Sequence, residues 1–201
     1  MTDDNTSIVF SDAVRATQAR YGAAEVANKV AVRGWQSTVT PDLASFLSDI
    51  DSFYLGSAGA TGRPYIQHRG GPKGFLKPID DSTLAFADFR GNKQYITAGN
   101  LSENDQAFIF LMNYPAQARI KIWGRAEVVD DDPALLSELS DPSYKGVVER
   151  AIKFRIEAWD VNCRQHILPR YTEPDIDKLT AKMQARIAEL ESEVAGLKGT
   201  A

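Results

Sequence analysis

The chain has 201 residues, 43% apolar and 25% charged, which suits one domain with its own core and is too apolar for a disordered chain. Lys plus Arg number 23 against 27 Asp plus Glu, a formal charge of −4 that argues against general nucleic-acid or anionic-membrane binding. The single Cys163 can form no internal disulfide and points to a cytoplasmic location, and with only His68 and His166 beside it a four-ligand zinc site is not supported. The acidic start Met1-Thr2-Asp3-Asp4-Asn5 does not read as a signal peptide, and no apolar run has transmembrane length.

Residues 1–40 read as a helical extension. Ser11-Asp12 caps a helix to about Arg20, closed by Tyr21-Gly22, and a second helical pattern runs from Ala23 to Arg33-Gly34. Thr40-Pro41 supplies an N-cap with proline behind it, and Leu43, Phe46, Leu47 and Ile50 follow at helical spacing. From Ser52 the period changes to two. Phe53 to Ser57 and Pro64 to His68 form a hairpin across Ala58–Gly62, residues 70–82 read as loop and turn, and Thr83 to Phe89 is a third strand. Asn92 to Leu101 reads as a short helix. Gln106 to Tyr114 is a strand apolar enough to be buried on both faces, and Arg119 to Val129 alternates with Ile120, Ile122, Gly124, Ala126 and Val128 inward.

Asp132-Pro133 and Asp141-Pro142 start two short helices, the second reaching about Ala151, and Phe154 to Val161 closes the sheet. The fold class is mainly β (α+β). Six strands with short connections predict an antiparallel barrel over residues 41–171. Neither a Gly-x-Gly-x-x-Gly turn nor a P-loop is present. Residues 172–201 form a C-terminal helix. Ile176, Met183, Leu190 and Leu197 recur every seven residues with Ile187 and Val194 between them, the pattern of a short coiled coil or of an amphipathic helix folded on its own barrel.

The stretch from Arg63 to Gln94 carries Arg63, Arg69, Lys73, Lys77, Arg90 and Lys93 against Asp80, Asp81 and Asp88. A basic island in an acidic chain suits one small anion, and Arg90-Gly91-Asn92-Lys93 at a helix start would offer a phosphate both cations and free amides. His68 and His166 each follow a glutamine, and either could serve as an axial haem ligand or as a structural residue.

Two segments in this region, Pro64-Tyr65-Ile66-Gln67-His68-Arg69-Gly70-Gly71-Pro72 and Leu84-Ala85-Phe86-Ala87-Asp88-Phe89-Arg90-Gly91-Asn92-Lys93-Gln94-Tyr95, resemble the pyridoxamine 5′-phosphate oxidase-related, FMN-binding split-barrel family. Ile120 to Ala126 is similar to a later barrel strand of that family, and Trp159 through Gln165-His166-Ile167 to its C-terminal flavin-contacting segment. The resemblance implies a six-stranded split barrel and a homodimer with FMN in clefts between subunits. Gln67, His68 and Arg69 would line the flavin, and Arg90, Asn92, Lys93 and Gln94 would hold its phosphate and ribityl chain. Trp159, Gln165 and His166 would approach the ring from the partner subunit. The implied function is an FMN-dependent oxidoreductase acting on a small molecule, with a non-enzymatic flavin or haem binder or sensor as the alternative. Deazaflavin is a further cofactor found in the family.

Overall fold

The computed structural model of the chain describes residues 5–161 and 164–199, so Cys163 lies outside the described residues. They fall into two compact units, one from Met1–Asn113 with Ala118–Arg164, the other from Tyr114–Gln117 with Gln165–Ala201.

The first unit opens with a 3-10 turn, Asn5–Ile8, then α1 (Asp12–Arg20), α2 (Ala24–Arg33) and α3 (Pro41–Ser48). Ser11 and Thr40 cap α1 and α3 through their hydroxyls, and Gly22 and Gly34, at φ +71° and +68°, follow α1 and α2 in the backbone region glycine favours. The N-terminal segment is tied to the sheet. Asn5 donates to the carbonyl of Trp35 (2.8 Å) and accepts from its amide (2.9 Å), while Gln36 pairs in a single β-bridge with Trp159.

The strands are β1 (Ser52–Ala58), β2 (Pro64–Gly70), β3 (Lys77–Pro78), β4 (Thr83–Phe89), β5 (Gln106–Asn113), β6 (Ala118–Val129) and β7 (Val148–Val161). They form one antiparallel sheet in the order β2-β1-β5-β6-β7-β4-β3, with α4 (Ile96–Glu103) and α5 (Pro133–Leu139) on the connections. The six-stranded barrel is therefore corrected to a seven-stranded, unclosed sheet. The seventh strand is the two-residue β3 on β4, too short for a period to be visible, and its Pro78 has no N–H to extend a ladder. No ladder joins β2 to β3.

The sheet nevertheless curls over on itself. Phe53 of β1 and Phe86 of β4 stand four strand spacings apart along the sheet, about 19 Å if it were flat, yet their ring centroids lie 5.0 Å apart. Leu55, Leu84, Ile109, Leu111, Ile122 and Phe154 fill the inside of this curl with Leu43 and Leu47 of α3. Gly124 sits where β6 shifts register against β7, and a Cβ there would collide with the Arg155 carbonyl and the Phe154 ring.

Three local expectations change. β5 buries Ala107, Ile109 and Leu111 but leaves Phe108, Phe110 and Met112 half-buried, so only one of its faces lies in the core. No helix follows Asp141. Its carboxylate accepts from the amide (2.8 Å) and hydroxyl (2.7 Å) of Ser143, an Asx turn that competes with helical bonding, and β7 already begins at Val148. The helix expected from Asn92 starts instead at Ile96.

The second unit carries α6 (Glu173–Gly199), whose start is fixed by Asp175 accepting from the amide and hydroxyl of Thr172 at 3.0 and 2.8 Å. In the same unit Gln117 donates to the Ile167 carbonyl (2.7 Å), and the Arg170 guanidinium lies 4.6 Å from the centre of the Tyr114 ring. Among the described residues no helix is long and apolar enough to cross a membrane.

Candidate functional site

A cleft of about 160 Å³ opens in the first unit where the curled sheet fails to close, between β2, the end of β4 and the start of α4. Five strand spacings along the sheet separate β2 from β4, about 24 Å if flat, but the curl brings Arg69 of β2 onto Asp88 of β4 as an ion pair. The seam is closed by side chains where no backbone ladder closes it.

Strand alternation decides which residues of β2 reach the cleft. Tyr65, Gln67 and Arg69 point into it. His68, one residue out of phase, lies on the other face with its ring 5.6 Å from that of Tyr54. Gln67 and Arg69 therefore share the cleft face and His68 does not, because consecutive strand residues alternate between faces. Gln67 is fixed by the buried Thr97, whose hydroxyl donates to its side-chain oxygen at 2.8 Å. Its amide group is thereby left as the free end, a donor.

Arg69 is 10% exposed and its guanidinium also lies over the Phe86 ring. Its Nε is buried without a hydrogen-bond partner among the described residues. Asp88 is shared with Arg150 (3.8 Å), which stacks 4.8 Å from the Tyr95 ring and reaches Glu149 (3.5 Å) and the exposed Asp130 (3.6 Å). Glu149 accepts in turn from Arg90 Nε (2.9 Å). Both carboxylates that line the cleft are thus engaged by arginines. Arg90 leans on Glu149 and does not itself line the cleft.

The opposite wall is backbone. Asn92 accepts from the Gln94 amide (3.1 Å), and Lys93 and Tyr95 both take the left-handed conformation, at φ +61° and +51°. The Asn92 side chain thus draws the chain into a turn where sequence periodicity favours helix. Such alternation turns successive amides toward one side, a concavity suited to an anion. No side chain caps α4, so the first-turn amides at Ile96, Thr97 and Ala98 border the cleft with their positive dipole end. Lys93 lines the cleft and makes no ion pair among the described residues.

Of the residues singled out in the sequence, Gln67, Arg69, Asn92, Lys93 and Gln94 are brought together here. Trp159 is 7% exposed, packed in the core, with its indole N–H donating to the Thr38 carbonyl (2.8 Å). Gln165 and His166 are exposed residues of the second unit. The sequence reading missed Tyr65, Asp88, Tyr95, Thr97 and Glu149. The alternation of β2 carries a signal for Tyr65, whereas Glu149 reaches the cleft only through the pairing of β7 with β4.

Among solved structures the chain is similar to HupZ of group A Streptococcus, with 15% identity, a TM-score of 0.51 and coverage of 66% of this chain and 99% of that one. An FMN-binding protein from Syntrophomonas wolfei subsp. wolfei matches at 15% identity and a TM-score of 0.45, covering 74% and 97% of the two chains. HutZ, the haem storage protein from Vibrio cholerae, matches at 14% identity and a TM-score of 0.42, covering 60% and 92%. The likeness to HupZ shows a shared fold. No curated protein matches the chain. Residues 39–165, more than half of the chain and inclusive of the whole cleft, match the family described as pyridoxamine 5′-phosphate oxidase. The chain belongs to the pyridoxamine 5′-phosphate oxidase family.

Proposed function

We propose that the cleft between β2 and α4 binds the phosphate end of FMN and that the protein is an FMN-dependent oxidoreductase acting on a small molecule. The observation that carries this reading is that the nearly buried Arg69, Lys93 and the uncapped start of α4 line one cleft. A phosphate dianion satisfies these donors together and gains charge-assisted bonds in a site partly shielded from water.

In this reading Lys93, Arg69 and the amides at 93–98 hold the phosphate. Asn92, Gln94 and the amide of Gln67 orient the polar chain behind it. The flavin, when bound, supplies the electron chemistry, and the protein residues bind, orient and exclude water. Among the described residues no histidine lines the cleft.

The partner is a second copy of the chain. The outer face of the sheet presents an apolar row across four strands, Ile66, Gly56, Phe108 and Trp123, which are consecutive register partners, with Trp35 stacked on Trp123 at 4.8 Å. Ile66 is 68% exposed at the end of this row. A self-complementary row of this kind suits a two-fold interface. Gln165 and His166 are then the side chains a partner subunit would offer to the flavin ring.

Three measurements test the reading. Mass spectrometry of the ligand released from purified protein is expected to find FMN, and reductant turnover with an acceptor separates an enzyme from a passive flavin binder. Lys93→Ala is expected to weaken FMN binding by about 1.5–3 kcal/mol, the contribution of one hydrogen bond to a charged group. Affinity equal to wild type would remove Lys93 from the site.

A further inference from the structure

We propose that α6 is one strand of a parallel, in-register, two-stranded coiled coil formed with the same helix of a second copy of this chain. The inference is independent of the flavin reading. Its starting point is a helix of 27 residues, about 40 Å long, that carries a row of exposed apolar side chains. Ile176, Met183, Ile187, Leu190 and Val194 are between 43% and 60% exposed.

The spacing of these residues says what covers them. In a heptad frame with Ile176, Met183, Leu190 and Leu197 at d, the a positions are Glu173, at the first residue of the helix, then Thr180, Ile187 and Val194. The apolar stripe is therefore the narrow a/d seam of a coiled coil rather than the wider face that a helix turns toward a globular body. Leu179, at g, is its one apolar outlier. The three a residues after Glu173 are β-branched and the middle of the d row is Met183 and Leu190. β-branched a positions beside leucine at d favour two parallel strands.

Charge supplies the second argument. The g position of the middle heptad is Arg186 and the following e position is Glu191. In a parallel, in-register pair, g of one helix meets the following e of the other, so Arg186 meets Glu191 of the second copy twice by symmetry. Within its own helix Arg186 pairs with Glu189 at 2.8 Å, but both side chains are more than half exposed, and such a pair is readily exchanged. With the helices antiparallel, e faces e and g faces g, so Arg186 and Glu191 would no longer meet.

The test is cysteine cross-linking of the full chain in a Cys163→Ser background, with Met183→Cys at d and Ser192→Cys at the outward f position. Cysteines held face to face at d experience an effective concentration in the millimolar range, so Met183→Cys should cross-link about tenfold or more above Ser192→Cys. Glu191→Arg should remove most of that excess, and Arg186→Glu combined with Glu191→Arg should restore it. Reading the cross-link with and without FMN keeps it separate from the flavin proposal. Cross-linking of Met183→Cys no greater than Ser192→Cys would overturn the pairing. Cross-linking only in mixtures of Met183→Cys with Val194→Cys would overturn its parallel orientation.

Discussion

At the scale of single residues, the cleft depends on charges that are held but not neutralised from one side. Asp88 stands between Arg69 and Arg150, all three largely shielded from solvent. Asp88→Asn would leave two guanidinium groups with less than their compensation, and is expected to cost about 3 kcal/mol of stability. Chemical denaturation measures this, and saturating FMN should return part of it, since a ligand that binds only the folded state stabilises by mass action. Thr97→Val should act more gently. It leaves the Gln67 carbonyl without its 2.8 Å donor, so FMN affinity is expected to fall by about 0.5–1.5 kcal/mol in a titration. The charge pattern points to Arg69, Asn92 and Lys93, and the family resemblance adds Gln67 and Gln94; all five line the cleft. His68 lies outside the cleft because successive residues of β2 alternate between its faces. Glu149 and Arg150 were invisible because β7 brings them to β4 from some sixty residues away along the chain.

At the scale of elements, caps and alternation carried most boundaries. Ser11, Thr40-Pro41 and Asp132-Pro133 start helices as their chemistry dictates. The same Asp-Pro signal failed at Asp141, and the helix start failed at Asn92, for one reason. In both, a short polar side chain bonds the backbone two residues on and forms a turn instead. The left-handed Lys93 and Tyr95 lie in and just after that turn. Gly124 is a second element-level constraint. Gly124→Ala drives a methyl group against the backbone of β7, and a loss of about 1–3 kcal/mol is expected in thermal or denaturant unfolding. The C-terminal helix belongs to the same scale. In the proposed dimer a paired α6 would reinforce an assembly held by the sheet face, since three heptads bury little seam alone. Truncation after Tyr171 should therefore keep the dimer and the flavin while lowering the melting temperature. A truncated protein that is monomeric and colourless would assign the dimer to the tail.

At the scale of the sheet as a whole, the curl that brings β2 against β4 creates the cleft, and no local pattern in the sequence encodes it. Alternation shows which residues face inward. It does not show that the two edges meet through Arg69 and Asp88 without a ladder, or that β3 supplies a seventh strand. The outer face yields its own prediction: Ile66→Asp, at the exposed end of the apolar row, should shift the protein to monomer in sedimentation and weaken FMN binding together with it. The central claim is that the cleft holds a phosphate, and a comparison of FMN with riboflavin tests it most directly. Titrating both into wild type and Lys93→Ala separates the phosphate from the ring. The account predicts that wild type prefers FMN by at least about 1.5 kcal/mol and that Lys93→Ala loses much of this preference while riboflavin binding stays unchanged. Equal affinity of wild type for the two flavins, or a preference for FMN untouched by Lys93→Ala, would contradict it.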